Sequence, residues 1–355
     1  MATIHDVARR AGVSIATVSY VLNSGPRMVR AETRQRVQQA MAELEYYPNQ
    51  TARRLARRKT KAIAVVLGLS ASYVFSGPYF SELLLGISEA VAIRGYSVTF
   101  ETYRDRLTDR RSFEFFHRVL TDGGVDGAIL GLVQTGTLTR LGDLLMGSGR
   151  EQIVPCVVLE PVADASPFNR VTSDIEAGIH AATTHLLRLG YRRIGFIGGD
   201  ATYLAGSLRP AYFRETMAAN DRPVEPDLVV NVQGTQAGGA EAVRRMLEHR
   251  PSAIIAANDM LTLGALTAIR EAGLQVPRDI ALIGFDGRYA DHIQPPLTAV
   301  HLPTYEMGVQ AADLVIDLVE GKVSPPTKVM LPSKLVLRES CGRLLGRESL
   351  SEIEG

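Results

Sequence analysis

The residues of this chain best placed to do chemistry are suited to reading a surface rather than breaking a bond. Ile15, Ala16, Ser19 and Tyr20 fall near one outer face of a short amphipathic segment. Methyls and hydroxyls there can meet the edges of DNA bases. Further on, Arg53, Arg54, Arg57, Arg58 and Lys59 crowd into seven positions around Leu55, the one large apolar residue of residues 49–60. Such a segment is either a plain basic linker or one that orders on DNA, with cations on phosphates and Leu55 in the minor groove. Catalytic spacings are missing. There is no G-x-S-x-G, H-E-x-x-H or C-x-x-C, and neither Gly198-Gly199-Asp200 nor Gly123-Gly124 opens a G-x-G-x-x-G or a G-x-x-x-x-G-K-[ST]. His180 and His185 are five apart on one predicted helix and do not share a face, and the other five histidines are scattered. Cys156 and Cys341 give neither a disulfide framework nor a metal site, in keeping with a reducing cytoplasm. No enzyme activity, cofactor or metal is expected.

The elements that must hold these residues begin at Thr3. Thr3 can cap a first helix with Asp6 as its short acidic partner, and Ile4, Val7, Ala8 and Ala11 form one stripe. Gly12 can stop that helix in a left-handed conformation. Ser14 can cap the next, whose inner face is Val18, Val21 and Leu22. Two helices joined by a Gly-Val-Ser turn make a helix-turn-helix, with the second helix directed to a major groove. Ser24-Gly25-Pro26 reads as a turn, followed by a third helix from about Ala31 to Glu45 with Val37, Ala40, Met41 and Leu44 inward and a poor cap at Arg30. Charge supports this reading. The chain is +1 overall, but residues 1–60 hold 11 Lys/Arg against 4 Asp/Glu, net +7, whereas the remainder holds 28 against 34, net −6. A basic head on a mildly acidic body is the footprint of a DNA-binding protein.

From residue 62 strands and helices alternate. Strand-like runs lie at 62–68, 96–100, 126–131, 153–159, 193–198, 228–232, 253–257 and 280–285, with helical stretches such as 80–94, 176–189, 240–249 and 261–272 between them. This spacing predicts βαβ units and parallel sheets covered on both faces. Eight or nine strands over this length favour two α/β subdomains, with ligand bound beyond the carboxyl ends of the strands. No run of about 18 apolar residues and no apolar signal segment occurs, so a soluble, cytoplasmic protein without membrane contact is expected.

Taken together, the chain resembles the lac repressor (LacI/GalR) family of bacterial transcription regulators from about Thr3 to Arg338. Residues 3–23 follow the family's T-x-x-D-V-A-x-x-A-G-V-S-x-A-T-V-S-x-V-L-N head, and residues 47–55 (YPNQTARRL) are similar to its hinge. Further matches are 192–199 (RRIGFIGG), 256–259 (AAND), 264–266 (GAL), 276–280 (VPRDI), 284–286 (GFD) and 295–298 (PPLT). The resemblance implies an all-α helix-turn-helix head at 1–46, a hinge helix or linker at 47–60, a periplasmic-binding-protein-like α/β effector-binding and dimerisation core of two subdomains at 61–343, and a tail at 344–355. The subdomains would be about 61–162 with 290–322 and about 163–289 with 323–343, so the chain would cross near 162, 290 and 323. It further implies a homodimer on a pseudo-palindromic double-stranded DNA operator. Carried over by position, Ile15, Ala16 and Tyr20 would read bases, Ser14, Ser19 and Asn23 would lie nearer the DNA backbone, Thr17 would belong to the same DNA-binding set, and Ala52, Arg53 and Leu55 would make the hinge contacts. Many relatives carry an Arg where Tyr20 stands, so a different operator is expected.

The same resemblance places a small-molecule effector between the subdomains, touched by Tyr79, Phe80, Glu160, Tyr203, Arg209, Asn258 and Asp286. Carboxylate and amide groups beside an Arg donor suit a polyhydroxylated ligand, because each hydroxyl both donates and accepts. These residues equally permit an Arg209–Asp286 ion pair and core packing of Tyr79 and Phe80. Near Gln233-Gly234 the family's frequent stacking aromatic is missing, with Tyr203 as a substitute, and Arg288 adds a positive charge near the cleft that suits a phosphorylated or acidic ligand. The expected function is a repressor released by a sugar or sugar derivative; the alternative is a corepressor-dependent regulator or activator with a non-sugar metabolite. A stand-alone sugar-binding protein would have no use for the basic head. The tail, with Leu344, Leu345, Leu350 and Ile353, is too short for a tetramerising coiled coil, which favours a dimer.

Overall fold

The structure is a computed structural model, and it describes residues 2–23, 29–46, 60–103, 108–147, 153–159, 161 and 166–342. Two compact units divide at Thr60. In the first, α1 (Ile4–Ala11), α2 (Ile15–Asn23) and α3 (Ala31–Glu43) surround a miniature core of Val7, Ala8, Ala11, Val18, Val21, Val37 and Ala40. The local signals act as their chemistry requires. Thr3 and Asp6 form a reciprocal capping box, and the Thr3 amide donates to the Asp6 carboxylate at 3.0 Å. Gly12 ends α1 at φ 64°, where a Cβ would add strain. The Thr17 amide donates to Ser14 Oγ at 3.1 Å, which starts α2. Arg30 gives α3 no side-chain cap, and Arg10 Nε donates to Glu43 at 2.7 Å, tying α1 to the end of α3. The turn at 24–26 and residues 47–59 of the linker lie outside the described residues.

In the second unit the described elements follow in order: β1 (Ala62–Ser70), α4 (Ala71–Ser76), α5 (Pro78–Ile93), β2 (Ser97–Tyr103), α6 (Asp109–Thr121), β3 (Gly127–Gly131), α7 (Thr135–Met146), β4 (Cys156–Val158) and β5 (Asn169–Ser173). Then come α8 (Ile175–Arg188), β6 (Ile194–Gly198), α9 (Leu204–Ala219), β7 (Val229–Asn231), α10 (Gln236–Leu247), β8 (Ala253–Ala256), α11 (Asp259–Glu271), β9 (Ala281–Asp286), β10 (Thr298–His301), α12 (Thr304–Val319), β11 (Lys328–Leu331) and β12 (Lys334–Val336). They build two six-stranded sheets. The first has the order β11-β5-β4-β3-β1-β2 and is parallel throughout. The second has the order β12-β10-β9-β8-β6-β7 and is parallel except for β12, which runs antiparallel to β10. Helices cover both faces, so central strands such as β3 and β9 are buried along their whole length.

The expected crossings between the halves are corrected by the sheet pairing. Residues 169–173 belong to the first sheet, so the chain leaves it at Asp174 rather than near 162. It returns at Leu302-Pro303 rather than near 290, because β10 still pairs in the second sheet. The third passage is at Pro332-Ser333, between β11 and β12, rather than near 323. The strands responsible are only three to five residues long (NRVTS, TAVH, KVML, KLV), too short to show a strand period, and they also take the strand number to twelve among the described residues. Such strands owe their conformation to pairing with a neighbour, not to their own pattern. Ser333 Oγ donates to Asp174 O at 2.6 Å and stitches the first and third passages together.

Candidate functional site

In the first unit the second helix turns one exposed face outward. Ile15 is 41% exposed, and Ser14 and Ala16 are also exposed, while Val18 and Val21 are buried beneath them. Thr17, Ser19 and Tyr20 are half-buried, and Ser14 Oγ lies 2.9 Å from Thr17 Oγ1. Asn23 ends α2. The α2 start thus offers a methyl-rich, hydroxyl-edged face with no cation on it. Ala52, Arg53 and Leu55 lie outside the described residues, as does Glu160.

In the second unit the carboxyl ends of both parallel sheets face one cavity of about 370 Å³. The reason is connectivity: each βα turn opens on the same edge of its sheet, and the two edges oppose one another. Six residues expected around an effector line this cavity together, namely Tyr79, Phe80, Tyr203, Arg209, Asn258 and Asp286. Tyr79 and Phe80 stand in the first turns of α5 with ring centroids 5.1 Å apart and edge-to-face. Phe80 also belongs to the first half's core, so lining and packing are both its work.

The polar end of the cavity is built by the second half. Arg209, in α9, places its guanidinium carbon over the Phe285 ring, 4.6 Å from the centroid. One of its terminal nitrogens donates to the Ala257 carbonyl, and its buried Nε has no hydrogen-bond partner. Asp286 ends β9 with φ 71°, a left-handed conformation that a side chain rarely adopts. Its Oδ1 is buried without a partner, so no Arg209–Asp286 ion pair consumes both groups. Burial raises the Asp286 carboxyl, with Arg209 and Arg288 opposing the rise. Asn258 caps α11 through its Oδ1, which accepts from the Leu261 amide at 2.7 Å. Its Nδ2 is thereby turned away from the helix.

Several residues with a part in the site carry no legible signal in sequence. Asp259 accepts from the amides of Gly287 and Arg288 at 3.1 and 3.0 Å, holding the turn after Asp286. Burial and neighbouring Asp286 nevertheless push its carboxyl up to about 7. Tyr73, on the six-residue α4, donates its hydroxyl to Gly234 O at 2.8 Å, and burial pushes that hydroxyl up to about 12. It supplies an aromatic beside 233–234, where the local sequence has none. In return Tyr203 donates to Gly68 O at 3.0 Å and the Thr135 amide donates to Thr202 O at 3.1 Å. Hydrogen bonds therefore bridge the two halves beside the cavity. The expected positive charge at Arg288 is not a cavity lining group. Its side chain turns to Glu82 and to the passage at Leu302, which removes the reason for an acidic ligand.

A family model described as "Bacterial regulatory proteins, lacI family" matches residues 3–49, and one described as "Periplasmic binding protein-like domain" matches residues 183–341. The chain is 32% identical to the HTH-type transcriptional regulator CelR of Thermobifida fusca over 346 residues, 95% of this chain and 98% of that protein. It is 33% identical to the HTH-type transcriptional repressor PurR of Pasteurella multocida (strain Pm70) over 347 residues, 96% of this chain and 98% of that protein. Among solved structures, a lac repressor dimer bound to operator and the anti-inducer ONPF aligns with a TM-score of 0.82 at 28% identity, covering 96% of this chain and 99% of that one. A CelR–cellobiose complex aligns with a TM-score of 0.71 at 30% identity, covering 96% and 100%.

Proposed function

The chain belongs to the lacI family of bacterial regulatory proteins, and from that premise we propose that it is a repressor released from its operator by a sugar or sugar derivative held in the cleft. It is a transcription regulator and not an enzyme, as its relatives are. The observation that carries the effector reading is a pair of unmatched polar atoms on two residues that line the cavity. Asp286 Oδ1 needs a donor, Arg209 Nε needs an acceptor, and both are buried. A hydroxyl serves each need, so neighbouring hydroxyls on one ring can satisfy both at once. Asn258 is placed to offer a further donor, and Glu160 belongs to the same set by position in the family. Tyr79, Phe80 and Tyr203 supply flat apolar faces to the ring's C–H side.

On DNA, Ile15, Ala16 and Tyr20 would meet base edges, Ser14, Ser19 and Asn23 would lie nearer the DNA backbone, Thr17 would belong to the same DNA-binding set, and Ala52, Arg53 and Leu55 would make the linker contacts. The protein would act in the cytoplasm as a homodimer on a pseudo-palindromic operator, with one α2 per half-site. Effector occupancy would bias the angle between the two halves of the core and, through the paired linkers, the fit of both heads to DNA. Among the described residues no helix is long and apolar enough to cross a membrane.

A second reading rests on the four aromatic rings around the cavity, Tyr73 included, which would also grip a planar heterocycle acting as corepressor. The test is a thermal-shift screen of the full chain against mono- and disaccharides and nucleobases, followed by binding to operator selected from random DNA with and without each hit. A sugar that raises the melting temperature and weakens operator binding supports the repressor reading. Stabilisation by a nucleobase alone, with tighter operator binding, would replace it by the corepressor reading.

A further inference from the structure

Arg288 stands at the meeting point of three parts of the core. It follows the Asp286-Gly287 turn, where two successive residues have φ of 71° and 75°. Its own amide and that of Gly287 are held by the two carboxylate oxygens of Asp259. Its side chain then leaves the second half. One guanidinium nitrogen pairs with Glu82 on α5 of the first half. The other donates to Leu302 O at 2.6 Å and to Thr304 Oγ1 at 2.7 Å, the point at which the chain passes back to the first half. Only 16% of the side chain is exposed, and Glu82 is 36% exposed.

We propose that Arg288 is a latch between the two halves of the core, holding them together at the cleft and fixing the turn that presents Asp286. The proposal rests on the effector reading for its link to regulation, but not for the latch itself. The geometry favours a fixed clamp over an incidental surface pair. A planar guanidinium can serve Glu82 and two hinge acceptors at once, which a single exposed carboxylate partner would not require. Among the described residues, the other polar contacts across the cleft are hydrogen bonds from hydroxyls or backbone amides. Arg288–Glu82 is the contact across it with opposite full charges among the described ion pairs. Because the latch and Asp286 share one three-residue turn, closing of the cleft and placement of the ligand-facing carboxylate are one event. The coupling is reciprocal: whatever opens the latch weakens the ligand's hold, and a bound ligand strengthens the latch.

The test needs no ligand. Spin labels on cysteines introduced at Arg110 in α6 and Arg214 in α9, both exposed, report the distance between the halves in the full chain, while native Cys156 and Cys341 are buried and stay unlabelled. Arg288→Met should add a longer distance and raise the ratio of open to closed molecules by about 5- to 100-fold, the usual range for coupling of this kind. Glu82→Gln, a change on the outside of α5, should shift the same ratio in the same direction. The double variant should be no more open than Arg288→Met alone, since both changes remove one interaction. A distance distribution unchanged in folded Arg288→Met, or in Glu82→Gln should Arg288→Met not fold, overturns the latch. So does strict additivity in the double variant. An incorrect effector assignment leaves these outcomes untouched and is detected separately by the ligand screen.

Discussion

At the scale of single residues, the buried carboxylates dominate. Burial and the neighbouring Asp286 push the Asp259 carboxyl up to about 7 in the folded protein, against an ordinary aspartate value of 3.8. The folded state therefore binds more protons than the unfolded one between these values. The contribution of Asp259 is most favourable below about pH 4 and is lost as pH rises towards 7. Asp259→Asn should flatten that part of the stability profile relative to the parent, read as melting temperature against pH from 4 to 8. A parallel displacement of the two profiles would assign the titration elsewhere. In the head the informative residue is Tyr20. Its half-buried ring and single hydroxyl cannot make the bidentate contact to guanine that an arginine makes. Tyr20→Arg should move the half-site recovered by selection towards guanine at one position, worth about 1–3 kcal/mol of discrimination. Recovery of the parental half-site by the variant would remove Tyr20 from base reading.

At the scale of elements, the contact between α5 and α12 depends on two glycines. A Cβ at Gly86 would lie 2.2 Å from Tyr305 O, and one at Gly308 would lie 2.3 Å from Leu83 O. The helices approach so closely that backbone meets backbone, and the first half's core of Leu83, Ile87, Met307 and Ala311 closes around them. Gly86→Ala should cost about 1–3 kcal/mol by overpacking, seen as a lower urea midpoint with the slope unchanged. An unchanged midpoint would show that the helices can separate without loss. The same crossing explains why α12, late in the chain, serves the first half: its partner helix was made some 220 residues earlier, and only the return at Leu302-Pro303 brings it back.

For the whole molecule, the division at Thr60 separates two cores that share no described buried cluster. A chain beginning at Lys61 should keep the core's unfolding transition and any ligand-induced shift in it, while losing all operator binding. Loss of the transition would mean that the head completes the core. Leu55→Ala in the full chain should lower operator affinity and leave ligand affinity as it was. Equal loss of both would point to a folding defect. If the linker's arginines contact phosphates as proposed, operator affinity should also fall steeply with salt, through the release of counterions.

The head was legible residue by residue because its determinants are local. A capping box, a left-handed glycine and three apolar stripes act within a few positions of one another, and Thr3, Gly12, Ser14 and Val18 do in the structure what their types dictate. The alternation of strands and helices in the core was legible for the same reason, since buried parallel strands are continuous apolar runs. Family motifs located Tyr79, Phe80, Tyr203, Arg209, Asn258 and Asp286, and the fold gathers them around one cavity. What remained hidden was everything decided by partners distant in sequence. Strands β5, β10, β11 and β12 are too short for a pattern of their own to announce them and are fixed by the neighbouring strands they pair with. Tyr73 and Asp259 gained their places from Gly234 and from the amides at 287 and 288. Arg288 read as a charge beside a ligand, yet tertiary structure turned it towards Glu82 and the chain passage at Leu302. Sequence alone determined which residues could form helices, strands and polar contacts; the meeting of the two halves determined which of those contacts were made, because a side chain's partner is fixed by the fold's geometry and not by its neighbours in the chain.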